Sequence, residues 1–253
     1  MFMLSPAVND GPHPFYFDAL SCGERLTHGV FHRHGGVSPS PWDALNVGLA
    51  VGDDAARVAE NRQRIKQALG LSALVGARQV HGDRVAVVEN DPGADIDGVD
   101  ALVTDVPGIG LMIQQADCQA VLLFDPVRSA VGIAHSGWRG SVANIIHKTV
   151  AAMGEAFGSE PRDMYAAVSP SLGPCCGEFV NHRQELPDAF RAFQVQENHF
   201  DFWAISRWQL EAAGIRSERI SVAGICTVCD PRFFSYRRDK ITGRNASVIG
   251  LRP

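Results

Sequence analysis

The sequence has no apolar run that approaches the roughly 20 residues needed to cross a bilayer as a helix. It also has no strong excess of charge, because 23 basic and 28 acidic residues give a formal net charge of -5. These absences argue against a membrane protein and against nucleic acid or an anionic membrane surface as the partner. The N-terminal residues lack a basic stretch followed by a long apolar one, so we expect a cytoplasmic protein.

Cysteine is also scarce, with six among 253 residues. A disulfide scaffold would need a higher density, so in a reducing compartment each cysteine is expected to be buried, metal-bound or reactive. Hydrophobic residues make up 45% of the chain, enough to bury a sizeable core. No repeat or linker interrupts the sequence, which indicates one domain over 1–253 with a loosely held arm at about 1–14.

Short strand-like runs alternate with a few helical segments. Apolar spacing predicts helices that follow Asp54 and Ser141 and stop at Gly70 and Gly158, and a turn-rich loop is predicted at 29–51. Two further helices are predicted, at about 185–193 and at 202–213. Apolar runs bounded by turns predict strands at 85–88, 101–104, 110–113, 164–168, 219–223 and 246–251.

The stretch 114–141 concentrates side chains that can carry chemistry. Cys118 follows one apolar run, and His135 stands where a second run stops. A catalytic zinc commonly takes three protein ligands and leaves a fourth position open, and His81, in a turn before a strand, is the candidate third ligand. The separations of 37 residues (118 − 81) and 17 residues (135 − 118) are unlike those of a zinc finger. Spacing alone therefore leaves open that these are three unrelated side chains.

The same stretch offers other chemistry. The turn at 137–140 opens a helix, whose free N–H groups, together with Arg139, would suit an anion such as phosphate; a plain strand-to-helix connection is the alternative. Cys118 could also be a thiolate nucleophile with His135 as base and no metal. Asp117 is a candidate proton carrier by adjacency, or a residue that hydrogen-bonds a turn.

The remaining cysteines form a CxxC pair, Cys226 and Cys229, and an adjacent pair, Cys175 and Cys176. A structural zinc site would need both pairs, and adjacent cysteines are expected to be geometrically poor partners, so we interpret all four as structural cysteines in loops. The run 233–244 holds four basic and three aromatic side chains. Because no nucleic-acid fold signature accompanies it, the run is predicted to shape a pocket.

Six ordered segments resemble the laccase-domain or polyphenol-oxidase-like family, which also includes proteins described as purine nucleoside phosphorylases and as peptidoglycan-editing factors. The resemblance runs from about Gly29 to Leu251 and implies an α/β fold, a single domain of layered mixed β-sheets flanked by helices. The segments are RHGGVS (33–38) with Asn46 and Gly48, QVHG (79–82), ADC (116–118), AHSGWRG (134–140), SLGPCCGEF (171–179) and FFSYRRDKITGR (233–244).

The resemblance implies a metal site and a substrate class. The implied ligands of zinc are His81, Cys118 and His135, with copper the less favoured metal. The implied reactions are phosphorolysis of adenosine, inosine, guanosine and methylthioadenosine, and deamination of adenosine. The partners would then be a purine nucleoside and phosphate, with the oligomeric state left open. The candidate catalytic residues are Cys118, His135 and Asp117, and the candidate substrate-binding residues are Arg33, Asn46 and Arg139.

Three other functions remain open at this stage. Hydrolytic editing of a peptidoglycan precursor amide could use water at the metal or Cys118 as nucleophile. Copper-dependent oxidation of phenols is disfavoured, because a multicopper centre needs many histidines and the chain has nine, with one His-x-His pair. In a non-enzymatic binding module the zinc would be structural, and its removal would unfold the chain.

Overall fold

The computed structural model describes residues 2–4, 11–21 and 25–253. Within these residues, short strands outnumber helices. The strands are β1 (Phe2–Leu4), β2 (Pro14–Phe17), β3 (Leu26–Phe31), β4 (Ala73–Arg78), β5 (Val85–Val87), β6 (Ile96–Asp97), β7 (Ala101–Thr104), β8 (Ile109–Gln115), β9 (Gln119–Asp125), β10 (Ala130–Ser136), β11 (Tyr165–Val168), β12 (Gln194–Gln196), β13 (His199–Phe200), β14 (Ile220–Val222) and β15 (Asn245–Leu251). The helices are α1 (Ala55–Ala68), α2 (Trp138–Val142), α3 (Ile145–Phe157), α4 (His182–Glu185), α5 (Phe202–Ala212) and α6 (Tyr236–Asp239).

Two large mixed sheets organise the described residues. One has seven strands in the order β1, β2, β3, β15, β8, β4, β6, and the other has six in the order β14, β11, β9, β10, β7, β5. Most neighbours are antiparallel, but β4 runs parallel to β8 and to β6, β5 to β7, and β11 to β14. The strands β12 and β13 form a separate ribbon. Mixed sheets of this kind agree with the predicted class.

Successive side chains along the central strands pack in different clusters, and this divides the core into layers. On β8, Leu111 packs in the cluster shared by both sheets, whereas Met112 packs in a cluster with Ile65 of α1. On β9, Leu122 belongs to the shared cluster, and Leu123 packs with residues of α3. Successive strand side chains point to opposite faces, so each sheet contacts the other sheet on one face and a helix on the other. The fold is thus a single α/β domain of layered mixed sheets flanked by helices, as predicted.

The first long helix begins and ends where the sequence indicates. The carboxylate of Asp54 caps α1 by accepting the backbone N–H groups of Ala56 and Arg57, and Gly70 takes a left-handed φ of 65° after its end. The loop predicted at 29–51 is shorter than expected, because residues 29–31 continue β3. Buried Asn61 of α1 fixes the rest of this loop by donating to its backbone carbonyls.

Two predicted helices are interrupted. The helix expected without a break after Ser141 divides at Asn144, whose φ of 54° is left-handed and whose side chain caps α3. The helix expected at about 185–193 divides at Pro187, which has no N–H to donate and restricts the residue before it. It becomes α4 and a 3₁₀ helix at Asp188–Phe193.

The predicted N-terminal arm falls partly outside the described residues. Residues 2–4 form β1, which pairs antiparallel with β2, while residue 1 and residues 5–10 are not described. The looseness of the arm therefore stays a prediction. Among the described residues, no helix is both long and apolar enough to span a bilayer.

Candidate metal centre

One edge of the six-stranded sheet collects the side chains that the sequence singled out. The start of β9 pairs with the end of β10, with Gln119 opposite Ser136. The start of β7 lies beside the same end of β10, and β5 starts parallel to β7. Cys118, His135 and the turn that carries His81 therefore meet at one edge, where rigid strands hold them.

The three predicted ligands lie within reach of one ion. The distance from Cys118 Sγ to His81 Nε2 is 4.0 Å, and the ring centroids of His81 and His135 are 4.8 Å apart. One ligand atom from each residue lies within 4.8 Å of the other two. Tetrahedral zinc, with bonds of about 2.3 Å to sulfur and about 2.0 Å to nitrogen, needs ligand atoms about 3.5 Å apart. The donor set and its spacing fit a single cation that keeps one coordination position open.

Asp100 is the residue that organises this centre, and sequence reasoning missed it. Its buried carboxylate lies 2.8 Å from His135 Nδ1, which leaves Nε2 of that ring for the ligand position. The same carboxylate accepts the backbone N–H groups of Val80, His81 and Gly82 at 3.1, 3.0 and 2.7 Å. Burial raises the pKa of Asp100, but the hydrogen bonds from His135 and from the backbone lower it more. One carboxylate thus fixes both candidate histidine ligands.

Gly137 provides the room that the centre requires. A Cβ atom at this position would lie 2.8 Å from Cys118 Sγ and 3.3 Å from His81 Cδ2. Real Cβ atoms do not approach sulfur so closely, so a side chain here would displace the candidate ligands. The glycine between β10 and α2 is therefore part of the site.

Cys118 and His135 each stabilise the charged form of the other. Burial raises the pKa of the Cys118 thiol, but the charge of His135 and hydrogen bonds with both histidines lower it below its usual value. Burial lowers the pKa of His135, but Cys118 and Asp100 raise it more. The thiolate is therefore favoured, and either a proton on His135 or a bound cation can balance it.

Cys118 also borders a cavity of about 850 Å³. Its wall combines aromatic rings with charged side chains of both signs, a combination suited to a flat ligand that carries polar and charged groups. The aromatic residues are Trp138, Phe179, Phe202 and Tyr236, the cationic residues are Arg237 and Lys240, and the acidic residues are Asp117, Glu178 and Glu185. Tyr236, Arg237 and Lys240 come from the run 233–244, so the prediction that this run shapes a pocket is confirmed.

Asp117 also borders the cavity, and both of its carboxylate oxygens accept hydrogen bonds. Oδ1 accepts from the hydroxyl of Thr227 at 2.7 Å, and Oδ2 accepts from the backbone N–H of Arg237 at 2.6 Å. Its φ of 88° lies in the left-handed region and turns the chain between β8 and β9. The carboxylate thus ties the C-terminal loops to the turn beside Cys118, and proton transfer by Asp117 stays a prediction.

The residues predicted to bind substrate do not line this cavity. Arg33 pairs with Asp43 at 3.1 Å. Asn46 is buried, and its amide hydrogen-bonds the backbone of its own loop. The guanidinium of Arg139 lies 4.9 Å from the ring centroid of Trp138, which does line the cavity. Arg139 therefore contacts a residue of the wall, and all three roles stay predictions.

The interpretation of the remaining cysteines is wrong in its geometry. The structure brings Cys175, Cys176, Cys226 and Cys229 together, with all four sulfur atoms within 4.8 Å of one another. Adjacent cysteines are expected to be geometrically poor partners, but the loop that carries Cys175 and Cys176 brings their sulfur atoms to 3.7 and 3.6 Å from Cys229 Sγ. The matching number of thiols in two motifs was the signal available in the sequence.

The chain is similar to proteins of one family along most of its length. Residues 27–252 match the model of the family described as multi-copper polyphenol oxidoreductase laccase. The chain is 36% identical over 247 residues to purine nucleoside phosphorylase YlmD of Bacillus subtilis, with 88% of each chain covered. It is 40% identical over 236 residues to purine nucleoside phosphorylase ORF3 of Streptomyces griseus, with 87% of this chain and 92% of that protein covered.

Solved structures agree with these similarities. The crystal structure of YlmD from Geobacillus stearothermophilus superposes with a TM-score of 0.88 at 30% identity, with both chains covered in full. Protein NMB0706 of Neisseria meningitidis superposes with a TM-score of 0.78 at 29% identity, covering 100% of this chain and 99% of that one. The layered fold described above is therefore shared with these proteins.

Proposed function

The chain belongs to the family described as multi-copper polyphenol oxidoreductase laccase, and on that premise we propose that it is a zinc-dependent purine nucleoside phosphorylase. The proposed substrates are adenosine, inosine, guanosine and methylthioadenosine, each with phosphate. One observation carries the proposal: Cys118 of the candidate metal centre borders a cavity that also offers aromatic rings and cationic side chains. Relatives that bear the phosphorylase name cover most of the chain.

The cationic side chains suit the anionic half of this reaction. In phosphorolysis a phosphate oxygen bonds to C1′ of the ribose, the C1′–N9 bond breaks, and its electron pair leaves with the purine, which then takes a proton. Arg237 and Lys240 line the cavity where phosphate would need to be held. Burial lowers the pKa of Arg244, and the charges of Cys118 and Asp117 oppose that shift, so a third cation acts on the same region.

The aromatic side chains suit the purine. Tyr236 lines the cavity and is 54% exposed, so part of its side chain is available for a ligand to cover. Base-on-aromatic stacking contributes roughly 1–3 kcal/mol and tolerates different bases, because every base has a π-face. This tolerance is consistent with a set of purine nucleosides rather than one.

The ligand set supports zinc over copper. His81, Cys118 and His135 leave one position open, and a metal there would supply Lewis acidity and lower the pKa of coordinated water. The same open position favours deamination of adenosine as a second reaction. Among the described residues, the groups of three or more candidate ligands are this set and the four cysteines. Neither offers the many histidines of a multicopper oxidase.

The test is a product analysis with a matched pair of variants. We would load the purified chain with zinc, supply inosine or adenosine with and without phosphate, and separate the products by chromatography. The expected result is phosphate-dependent release of hypoxanthine or adenine and phosphate-independent conversion of adenosine to inosine, both lost in His81→Ala. His147→Ala, which removes an exposed histidine on α3, is the control. Intact nucleosides with the zinc-loaded wild type, or full turnover by His81→Ala, would contradict the proposal.

A further inference from the structure

Four cysteines from two separate loops converge beside the cavity. Cys175 and Cys176 follow β11, and Cys226 and Cys229 follow β14. The sulfur of Cys229 lies 3.7 Å from that of Cys175 and 3.6 Å from that of Cys176. A disulfide bond measures about 2.05 Å, so these contacts are not covalent, and all four cysteines are free. The grouping needs an explanation other than a cross-link.

The spacing fits one small thiophilic ion. Four sulfur atoms at about 2.3 Å from a tetrahedral zinc lie about 3.8 Å from one another. The observed contacts of 3.6 and 3.7 Å, with every pair within 4.8 Å, agree with that figure. Because protein thiolates supply four ligands, no coordination position is left for water or substrate, which is typical of a structural site.

Hydrogen bonds to Cys226 supply a second observation. Its sulfur is buried and accepts the backbone N–H group of Gly173 at 3.3 Å. The backbone N–H groups of Val228 and Cys229, within the CxxC turn, also bond to it. Several N–H donors directed at one sulfur stabilise a thiolate, which is the form that binds a metal. The turn is thus preorganised for an anionic sulfur.

The cluster is also bonded to the wall of the cavity. Cys176 and Val228 line the cavity, and Thr227, inside the CxxC turn, donates its hydroxyl to Asp117. The guanidinium of Arg238 donates to the carbonyl oxygens of Thr227 and Val228 at 2.8 and 3.3 Å, which places a cation against the backbone of the CxxC turn. Fixing the four sulfurs would therefore fix the segment that contacts the turn beside Cys118.

We propose that Cys175, Cys176, Cys226 and Cys229 bind one structural Zn²⁺ that fastens the two loops together and holds this wall of the cavity. The site is separate from His81, Cys118 and His135 and does not depend on the proposed function. This cluster would then add one zinc ion per chain to whatever the candidate metal centre binds.

Zinc content of purified variants, measured by native mass spectrometry, tests the proposal. We expect the double variant Cys175→Ser with Cys229→Ser to hold one zinc ion fewer than the wild type, and Cys118→Ala to keep the zinc ion of the cluster. When the candidate metal centre also holds zinc, the counts are two in the wild type and one in each variant. Cobalt(II) loaded alone into Cys118→Ala should give the charge-transfer absorption of a four-thiolate site, which the double variant should lack. Equal zinc content in the wild type and the double variant, or cobalt spectra without four-thiolate character, would overturn the proposal.

A measurement on the wild type covers the case in which the double variant does not fold. The chain is alkylated with a thiol reagent with zinc bound and again after chelation, and the labelled cysteines are mapped by peptide mass spectrometry. The half-exposed or exposed thiols Cys175, Cys176 and Cys229 should be protected by zinc and become reactive on chelation. Rapid labelling of these three in the zinc-loaded chain would contradict the site.

Discussion

The two cysteine-containing sites beside the cavity are built in opposite ways. His81, Cys118 and His135 meet at the edge of a sheet, and one buried carboxylate holds both histidines. The four-cysteine cluster joins two loops that contain little regular structure. With a metal bound as proposed, the first site, called the open site below, would keep one coordination position free, and the second, called the closed site, would fill all four. This is the difference between reactive and structural zinc sites.

This contrast shows how the chain supports a reactive centre. The sheet edge supplies rigidity on one side of Cys118 through backbone ladders. On the loop side, Asp117 accepts hydrogen bonds from Thr227 and Arg237, both from the C-terminal region. We infer that a metal in the second site would hold these loops in place, as strand pairing holds the sheet. Removing a ligand at His81, Cys118 or His135 should therefore reduce activity, and removing a thiol of the four-cysteine cluster should reduce the thermal midpoint.

The largest expected effect comes from removing the sulfur ligand of the open site. Cys118→Ala should reduce phosphorolysis of inosine at saturating zinc by more than about 100-fold, because the loss of a ligand exceeds the roughly 10–100-fold cost of losing a residue that orients one. Steady-state assays at several zinc concentrations measure this. The thermal midpoint should change little, and activity within a few-fold of wild type would remove Cys118 from the centre.

A smaller effect is expected when the orienting carboxylate is neutralised. Asp100→Asn keeps the shape but loses the charge opposite His135 Nδ1 and one of the two oxygen atoms that accept from the turn at 80–82. Zinc affinity of the open site should fall roughly 10–100-fold, as measured by competition with a chromophoric chelator. Asp91→Asn, in an exposed turn, is the control. Unchanged affinity of the open site would show that Asp100 does not position the ligands.

A change of one methyl group should have a still smaller effect. Gly137→Ala places a Cβ atom 2.8 Å from Cys118 Sγ, so the ligand must move and zinc affinity of the open site should fall about tenfold. Gly154→Ala, inside α3 and with no contact under 3.4 Å, should instead stabilise the chain by roughly 0.5 kcal/mol. Calorimetry and the chelator competition measure both. Equal zinc affinities in the two variants would contradict the steric argument.

The smallest expected effect is a loss of stability in mild acid, caused by His28. The two sites should be compared above the pH at which this loss begins. Burial lowers the pKa of His28 from 6.5 to about 4, and its Nε2 accepts the backbone N–H of Phe17 at 2.9 Å. The unfolded chain takes up this proton first, so the contribution to stability is complete above pH 6.5 and is lost as pH falls towards 4. Between pH 6.5 and 5.5 the loss should be about 1 kcal/mol. Denaturant titrations should show a weaker acid dependence in His28→Gln, and an unchanged slope would contradict this assignment.

The sequence predicts the fold and the grouping of His81, Cys118 and His135 better than it predicts the grouping of the four cysteines. Apolar periodicity and turn residues located many of the strands and the ends of α1. Spacing could not decide whether His81, Cys118 and His135 meet, because that depends on which strand ends share an edge; the six ordered motifs supplied the missing information. Their role as ligands remains part of the proposal.

Loop conformation and isolated buried groups were the main limits. The break at Asn144 is invisible to periodicity, because apolar residues keep helical spacing on both sides of it. Asp100 stands before an apolar strand without any motif, and its role emerges only when the turn at 80–82 folds over it. Adjacent cysteines are generally expected to be poor partners in one metal site. The loop that carries Cys175 and Cys176 is an exception, because it brings both sulfur atoms to the CxxC pair.

Stepwise chelation of the zinc-loaded wild type tests the central claim most directly. Zinc content, phosphorolysis of inosine and thermal midpoint are followed on the same samples. The account predicts that activity disappears with one zinc ion while the chain stays folded, and that the thermal midpoint falls when the second zinc ion leaves. A single zinc ion per chain, or activity and fold lost together in one step, would contradict the division between a reactive and a structural site.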